Sequence, residues 1–490
     1  MTSNGRATRP GPAEVGRGRA TGPLGPAIPR APAAPLPVRW RGRPVWVEID
    51  LDAVTENTRR VGHWVGPGTA IMAVVKADGY GLGAAQIARA ALAGGASWLG
   101  VASVDEGVQL RDAAVECPIL VLGPATPWEM GRAVVARLTI TVHSLDVARA
   151  LSAAARQCRV RAPIHLKLDS GLHRFGRNPD ELVALAMSLS LLPGLRLEGL
   201  YTHFANADDP LDDFAGRQLE LLLATRHRLA EAGITFALLH AASSAAVLDM
   251  PESHLDLVRV GIMLSGHYPA PLGHRPFALL PAVTVRAAVA RVFAVAAGES
   301  VGYGRTYIAP GPRTLALVPI GYADGYHRAL SNRGVMLVQG RRAPVAGRVS
   351  MDQVTIDVTD SPATAEGDPV VVAGWQGTEE VGFAELAERA GTIAYELLAH
   401  LGKRLPRVYL QGGEVAELTT LLGEEDLSLV GPLPGVPDAV YPVYAELPPA
   451  PLDQSWLDAP EEPAPAADEA PAAERPRRKG RSRGRRPRGE

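Results

Sequence analysis

The sequence predicts a (β/α)8 TIM-like barrel followed by a β-rich C-terminal domain, with a disordered extension at each end. Three observations lead to this fold class. Eight short β-branched runs alternate with alanine-rich helical patterns over residues 44–281. Beyond residue 281 the helical spacing fades, and strand-like runs follow one another directly. The chain also has 490 residues, which exceeds the roughly 250–300 at which a single core stops growing.

Residues 1–43 are expected to form a disordered extension. Arginine, proline, glycine and alanine recur throughout, and such a segment buries too little surface to offset the entropy lost on ordering. It lacks the uninterrupted apolar stretch of a signal peptide. No run in the sequence reaches the roughly 20 apolar residues that span a bilayer. We therefore expect a cytoplasmic protein without a transmembrane segment.

Bulk charge indicates no special partner, and the cysteine content favours a reducing compartment. The formal net charge is −2 and 47% of the residues are hydrophobic, which fits a globular protein without an overall bias toward nucleic acid. The two cysteines, Cys117 and Cys158, are too few for a disulfide framework. We interpret both as ordinary buried thiols in a reducing compartment.

The barrel is predicted over residues 44–281. Its strand-like runs lie at residues 70–75, 98–102, 119–122, 138–142, 164–168, 197–202, 236–239 and 257–260. Helical patterns long enough for crossover helices lie at residues 83–93, 104–114, 144–156, 180–189 and 215–232. A doubly wound open sheet is the alternative, because strand order cannot be read from the pattern alone.

The β-rich domain is predicted over residues 282–412, with the ordered part closing near Leu410. Strand-like runs lie at residues 283–296, 315–319, 335–338, 354–358 and 370–373, and helical patterns return at 383–390 and 394–401. Residues 413–490 are rich in proline, alanine and acidic residues and then almost wholly basic, which predicts disorder. The basic tail could bind RNA or an anionic surface, or it could be a solvated appendage.

Polar residues after the apolar runs are the candidates for chemistry, because a barrel gathers its active site at the carboxyl ends of its strands. Lys76 follows such a run, where desolvation lowers the pKa of the amine and makes it available for a Schiff base; a snorkelling lysine is the alternative. Lys167 faces the predicted barrel interior, and Arg174 in the following loop could clamp a carboxylate. A loop arginine in solvent is the alternative reading.

Three more clusters follow later strands. His203 and the segment 240–245 place polar groups at strand ends, although either histidine could be a core residue. Arg259 interrupts an apolar run just before Gly261, and a glycine turn there could cradle a phosphate, as barrels commonly do after strands 7 and 8. Five polar clusters at the same end of the barrel are hard to attribute to chance. We expect no metal ion.

The chain resembles the pyridoxal-phosphate-dependent alanine racemases over residues 45–409. Eight motifs carry the resemblance in that family's order: VVKADGYGLG, LKLDSGLHRFG, YTHF, HAASSAA, RVGI, VGYGRTY, IGYADG and GRVSMDQ. Any one motif is a weak pattern, whereas eight in order are highly specific. The resemblance implies an isomerase that interconverts L-alanine and D-alanine and supplies D-alanine for bacterial peptidoglycan.

The resemblance also implies the roles of individual residues. Lys76 would carry pyridoxal 5′-phosphate covalently and act as one base, while Tyr303 would act as the other from the opposite face. His203 and Arg259 would support the Tyr303 phenolate, and Arg259 would face the pyridine nitrogen. Contacts to the phosphate group would come from Tyr80, Ser244, Gly261, Ile262 and Tyr395.

The implied substrate site draws on both domains. Arg174 and the backbone of Met351 would hold the substrate carboxylate, with Lys167 as a carbamylated partner of Arg174. Tyr322 would line the entrance, and Asp352 would be a supporting residue of the site. The active site would be shared across a homodimer.

Two positions depart from the family pattern, and two other functions compete with racemisation. Ser243 stands where asparagine is common, and Ser265 where an aromatic residue is common. A barrel decarboxylase with the same cofactor is the enzymatic alternative, although it would more plausibly carry a cysteine opposite the cofactor. A non-enzymatic barrel that only carries the cofactor is the alternative from another functional class. Whether alanine or serine is preferred stays open.

Overall fold

The structure is a computed structural model that describes residues 42–209, 211–270 and 273–424. Nearly all of the predicted N-terminal extension, and the tail from residue 425 onward, lie outside the described residues. The prediction of disorder at the two ends, and of a nucleic-acid-binding or membrane-binding tail, therefore falls mainly on residues that the structure does not describe.

Eight parallel strands form a ring, as the sequence predicts. The strands are β2 (Ala70–Val74), β3 (Trp98–Val101), β4 (Ile119–Val121), β5 (Thr139–Val142), β6 (Ala162–Lys167), β7 (Leu195–Tyr201), β8 (Leu238–His240) and β9 (Leu257–Val260). They run in the order β8-β7-β6-β5-β4-β3-β2-β9. The first strand pairs in parallel with the last, and the Asp256 amide donates to the Leu239 carbonyl at 3.1 Å across β8 and β9. This closure excludes the open-sheet alternative.

Helices cover the outside of the barrel. They are α1 (Leu51–Val65), α3 (Ala84–Ala93), α4 (Val104–Asp112), α5 (Met130–Val135), α6 (Leu145–Gln157), α7 (Pro179–Ser190), α8 (Phe214–Glu231) and α9 (Ser244–Asp249). Their starts follow capping chemistry: Ser144 accepts from the amide of Val147, and Asn178 accepts from that of Glu181. The predicted helical patterns did not include α1, α5 or α9; α5 and α9 have six residues each, too few to show a helical period, whereas the 15 residues of α1 were simply missed.

The C-terminal domain is built on a nine-stranded sheet. Its strands are β1 (Val45–Asp50), β10 (Val283–Ala288), β15 (Val335–Val338), β16 (Arg341–Pro344), β18 (Pro369–Gln376), β19 (Glu379–Val381), β20 (Arg407–Gln411), β21 (Glu414–Thr420) and β22 (Gly423–Glu424). A three-stranded sheet contains β11 (Arg291–Val295), β14 (Arg313–Val318) and β17 (Val354–Asp357), and a hairpin joins β12 (Ser300–Val301) to β13 (Tyr307–Ile308). Helices α10 (Phe383–Ala390) and α11 (Ala394–Ala399) match the two predicted helical patterns.

Strand β1 corrects the predicted start of the barrel at residue 44. It pairs antiparallel with β10 and parallel with β20, both in the C-terminal sheet. Val45, Val47 and Ile49 are fully buried and alternate as a strand does, although no strand was predicted here. The pattern cannot say which sheet that strand joins, because partner choice depends on contacts distant in sequence.

The ordered region also extends beyond the predicted end at residue 412. Strand β21 returns antiparallel to β20 through a turn at Gly412 and Gly413, whose φ angles are 60° and 83°. Two glycines between strands are a hairpin signal, which the sequence reading took for the start of the tail. The cysteine prediction is also corrected, because Cys117 is partly exposed and Cys158 is exposed at the end of α6.

In the part of the chain that the structure describes, no helix combines the length and the hydrophobicity that a membrane crossing requires.

Candidate active site

Lys76 follows β2 and opens a left-handed turn, α2 (Lys76–Gly81). The four residues 77–80 have φ between 52° at Ala77 and 63° at Gly79. Left-handed backbone costs about 1–2 kcal/mol for each non-glycine residue, so it persists only where the surroundings hold it. The turn leaves the Lys76 side chain exposed at the carboxyl end of the barrel.

Two residues that the sequence analysis missed hold this turn. Glu106 accepts a hydrogen bond from the Ala77 amide at 2.8 Å. Arg407, from the C-terminal domain, donates to the Gly81 carbonyl at 2.9 Å. Glu106 follows Ser103 by three positions, the spacing of a capping box, which could have drawn attention to it. Arg407 gives no local signal because its partner lies in the other domain.

Arg259 in β9 is the most densely bonded group in the site and is only 4% exposed. One guanidinium nitrogen donates to His240 Nδ1 at 2.9 Å. The other donates to the carbonyls of Thr202 and Ala241 at 2.9 and 2.8 Å and to His203 Nδ1 at 3.0 Å. No carboxylate pairs with Arg259 among the described residues. Because a guanidinium only donates, both imidazoles accept through Nδ1 and, when neutral, carry their proton on Nε2.

Burial fixes the charge state of this cluster. Desolvation lowers the pKa of Arg259 to about 10, which still leaves it charged at neutral pH. Desolvation, with the charge of Arg259 as the second cause, lowers the pKa of His203 to about 2. The same two causes lower the pKa of His240 well below its ordinary value. The cluster therefore has one buried cation held by neutral acceptors.

Lys167 and Arg174 add positive charge beside Lys76. Lys167 is 6% exposed, and its amine lies 5.3 Å from the Phe175 ring centroid and 6.0 Å from that of Tyr201. Desolvation and then the charge of Arg174 lower the pKa of Lys167 to about 8. Desolvation, followed by Arg174, also lowers the pKa of Lys76, although Glu106 opposes this. Such a concentration of cations suits an anionic group such as a carboxylate.

Gly261, between Tyr80 and Ser244, forms a narrow cradle. Its amide donates to Ser244 Oγ at 3.2 Å, and a Cβ atom at this position would lie 2.2 Å from the Tyr80 hydroxyl oxygen. The Tyr395 ring, from the C-terminal domain, lies 6.2 Å from that of Tyr80. Burial raises the pKa of Tyr80 to about 12, so its hydroxyl stays protonated and can donate. With the buried Ile262 next in the chain, the cradle has the features of a phosphate site.

The two positions that depart from the family pattern border this cradle. Ser265 Oγ donates to the Ile262 carbonyl at 2.8 Å and closes the short turn that follows Gly261. Ser243 precedes α9, where its side chain makes no capping hydrogen bond. Ser265 therefore stabilises the local turn, whereas Ser243 leaves that end of the cradle less firmly held.

Besides Tyr395, four predicted site residues lie on the C-terminal domain. Tyr303, Tyr322 and Met351 are 70%, 42% and 52% exposed, and Asp352 binds Arg404 at 2.7 Å. Within the described ranges, no side-chain hydrogen bond, ion pair or ring contact joins them to the barrel cluster. One chain thus brings together the predicted barrel residues and Tyr395, but it does not join these four to them.

Asp324, which the sequence analysis also missed, secures the loops of Tyr322 and Met351. Its carboxylate is fully buried and accepts from Arg43 at 2.7 Å and from Arg404 at 2.6 Å. Burial favours the neutral acid, but the two arginines hold the pKa of Asp324 below its ordinary value. Arg404 also donates to the Met351 carbonyl at 3.4 Å. The motif IGYADG contains this aspartate, yet nothing local predicts its partners.

The described residues contain no group of three or more histidine, cysteine or acidic side chains placed to hold a metal ion.

Comparisons with known proteins match most of the described residues, in both domains. The family model "Alanine racemase, N-terminal domain" matches residues 49–269, and "Alanine racemase, C-terminal domain" matches residues 282–409. The alanine racemase of Desulforamulus reducens is 43% identical over 369 residues, which are 75% of this chain and 99% of that protein. That of Symbiobacterium thermophilum is 43% identical over 374 residues, which are 76% of this chain and 98% of that protein.

Solved structures give the same result. The alanine racemase of Streptomyces coelicolor A3(2) is 39% identical with a TM-score of 0.71, over 75% of this chain and 98% of that one. The alanine racemase of Bacillus anthracis with bound L-Ala-P is 35% identical with a TM-score of 0.73, over 78% of this chain and 98% of that one.

Proposed function

The chain belongs to the alanine racemase family, and we propose that it interconverts L-alanine and D-alanine with pyridoxal 5′-phosphate bound at the carboxyl end of the barrel. Because the chain belongs to this family, the protein is an isomerase, and the alternative of a barrel decarboxylase is excluded. The observation that carries the cofactor proposal is the arrangement of Lys76, the Gly261 cradle and Arg259 at one barrel end. A primary amine, a phosphate site and a buried donor are what this cofactor needs from a protein.

Each group has a feature that fits the cofactor. The lowered pKa of Lys76 increases the free amine available for covalent attachment. The cradle has no room for even a methyl group at Gly261, so glycine there lets a phosphate group approach the Tyr80 hydroxyl, while the Gly261 amide holds Ser244 Oγ at 3.2 Å. When bound, the cofactor withdraws electrons from the substrate α-carbon and so acidifies its proton.

Arg259 would donate a hydrogen bond to the pyridine nitrogen without giving up its proton. A guanidinium with a pKa of about 10 stays charged at neutral pH, and no carboxylate among the described residues is bonded to it to draw the proton away. By keeping its proton, Arg259 would leave the ring nitrogen unprotonated. This would favour return of the α-proton to the same carbon, and so racemisation over transamination.

Racemisation needs one base on each face of the α-carbon. Lys76 would serve one face and Tyr303 the other. Tyrosine has an ordinary pKa of about 10, so its phenolate needs a nearby donor or cation. His203 can provide the donor, because Arg259 occupies its Nδ1 at 3.0 Å and the Nε2–H of the neutral ring remains to be shared.

We infer that the site is completed in a homodimer. Tyr303 is 70% exposed, which is unexpected for a catalytic tyrosine in a finished site. Tyr322 and Met351 are also exposed, and they lie on loops that Asp324 holds together. A second copy of the chain, placed with these loops against the barrel cluster, would bring Tyr303 opposite Lys76. Two-fold symmetry then gives two equal sites in each dimer.

The substrate carboxylate would bind Arg174 and the backbone of Met351, with Tyr322 and Asp352 at the entrance. Lys167 has a pKa of about 8, so an appreciable share of its amine is uncharged at neutral pH and can take up carbon dioxide. The resulting carbamate would be an anionic partner for Arg174. Carbamylation would thus replace the repulsion between two cations by an ion pair.

We further propose that the enzyme acts in the cytoplasm and supplies D-alanine for bacterial peptidoglycan. The direct test incubates the protein with L-alanine and with L-serine separately, and follows optical rotation together with visible absorbance of the bound cofactor. Loss of rotation with alanine supports the proposal. Faster loss with serine would identify a serine-preferring racemase, and no loss with either substrate would refute racemisation.

A further inference from the structure

A line of polar side chains runs from Arg259 through the barrel interior toward its amino end. Arg259 donates to His240 Nδ1 at 2.9 Å. His240 Nε2 lies 2.9 Å from His165 Nδ1, and His165 Nε2 lies 3.6 Å from Glu198 Oε2. Both histidines are fully buried. Apart from this approach, neither His165 Nε2 nor Glu198 Oε2 has a hydrogen-bond partner among the described residues.

The direction of every hydrogen bond in this line follows from Arg259. A guanidinium cannot accept, so His240 must accept through Nδ1 and donate through Nε2. His165 must then accept through Nδ1, which leaves its proton on Nε2 facing Glu198. Burial is the main cause that lowers the pKa of each ring, so both stay neutral. The line therefore begins at a cation and ends at a carboxylate.

Local backbone features make room for this arrangement. The register between β6 and β7 shifts at His165, which pairs with Gly199, whereas Ile164 pairs with Leu197. Glu198 is thus an extra residue in β7, and bulges of this kind re-aim a side chain. A Cβ atom on Gly199 would lie 2.5 Å from the His165 ring. Only glycine leaves space for the imidazole beside the bulge.

Glu198 also borders a cavity of about 220 Å³ at the amino end of the barrel. Its other oxygen binds Arg196 at 2.7 Å. Arg196, Trp98 and Glu116 line the same cavity. Despite burial, the approach of the His165 ring and the ion pair with Arg196 hold the pKa of Glu198 below its ordinary value, so the carboxylate stays charged. The line thus has a permanent anion at the end opposite the active site.

We propose that Glu198 and His165 are positioning residues that act on Arg259 from the far end of the barrel. The Glu198 carboxylate, through the imidazoles of His165 and His240, serves as the distant counter-charge of the buried guanidinium. It also supports the same His240 tautomer that the contact with Arg259 requires. This inference deepens the proposed function and rests on it, because it makes the group that faces the cofactor depend on residues that never contact the cofactor.

The test combines a spectroscopic and a kinetic measurement. Long-range 1H–15N NMR of histidine-labelled apoprotein reports which nitrogen of each ring carries the proton, and His165→Gln assigns the His165 signals. Glu198→Gln removes the charge but keeps an acceptor oxygen. Glu116→Gln is the matched control, because Glu116 lines the same cavity and pairs with Arg137 at 3.6 Å but does not reach the line.

We expect wild-type His165 and His240 to be neutral with the proton on Nε2. Glu198→Gln should shift the His165 Nε2 signal and lower kcat about five- to tenfold, the size of one ordinary hydrogen bond, with KM within about twofold. Glu116→Gln should change neither the His165 signal nor kcat.

A wild-type His165 protonated on Nδ1, or a Glu198→Gln enzyme that matches the control in both measurements, would overturn the inference. The wild-type spectrum needs His165→Gln only for its assignment, so this part of the test does not depend on whether Glu198→Gln folds. Absence of racemisation by the wild type would instead contradict the proposed function.

Discussion

The substitution Gly261→Ala tests the phosphate cradle most sharply. The added Cβ would lie 2.2 Å from the Tyr80 hydroxyl oxygen, well inside van der Waals contact. Tyr80 cannot turn away freely, because it is largely buried, packs near Tyr395 at 6.2 Å and belongs to the left-handed turn. Either the hydroxyl or the loop of Gly261 must move, and one hydrogen bond to the phosphate is then lost.

The size of the effect follows from the bond that is lost. A hydrogen bond to a charged group contributes about 1.5–3 kcal/mol, and 1.4 kcal/mol is a factor of ten in a binding constant. We therefore expect Gly261→Ala to weaken pyridoxal 5′-phosphate binding by about 10- to 150-fold. The assay titrates the apoprotein with the cofactor and follows its visible absorbance.

Gly216→Ala is the matched control for this substitution. Gly216 lies within α8, and a Cβ atom there would meet nothing within 4 Å. Alanine in a helix is favoured over glycine by about 1 kcal/mol, so this variant should bind the cofactor as wild type and unfold at a slightly higher temperature. If Gly261→Ala bound the cofactor as tightly as Gly216→Ala, the assignment of the cradle to the phosphate would be wrong.

Two further predictions concern the attachment residue and the tail. Lys76→Ala should abolish racemisation and borohydride-dependent fixation of the cofactor, because Lys76 is the amine proposed to carry it; fixation at wild-type occupancy would refute this assignment. Removal of residues 425–490 should leave kcat unchanged, since every proposed site residue and strands β21 and β22 lie upstream, while it should lower any salt-sensitive binding to RNA or anionic lipid. A folded truncated protein with a large loss of kcat would show that the tail belongs to the enzyme proper.

The alternation of strands and helices was readable from the sequence because each barrel strand has its own apolar run. All eight predicted barrel strands are present, with bounds that differ by a few residues. The sheet membership of β1 was not readable, because Val45, Val47 and Ile49 alternate in the same way whichever sheet they join. Strand β21 was missed because Gly412 and Gly413 serve equally as a hairpin turn and as the start of a flexible tail.

The site residues also divide into those that the sequence could predict and those that it could not. Lys76, Arg259 and Gly261 were recognisable because each places unusual chemistry at a strand end. Glu106, Arg407 and Asp324 act through partners distant in sequence, and no local pattern reports such contacts. The left-handed turn at residues 77–80 was also beyond sequence reasoning, because only one of its four residues is glycine and tertiary contacts hold the other three in that conformation.

The central claim is that Lys76 of one chain and Tyr303 of another act on the same substrate. Lys76→Ala and Tyr303→Phe proteins, each inactive alone, can be unfolded together and refolded as a mixture. Random pairing makes about half of the dimers hybrids, each with one site that has both native bases and one that has neither, so activity should recover to about a quarter of wild type. A mixture that stays inactive despite demonstrated subunit exchange would contradict the claim and place both bases in one chain.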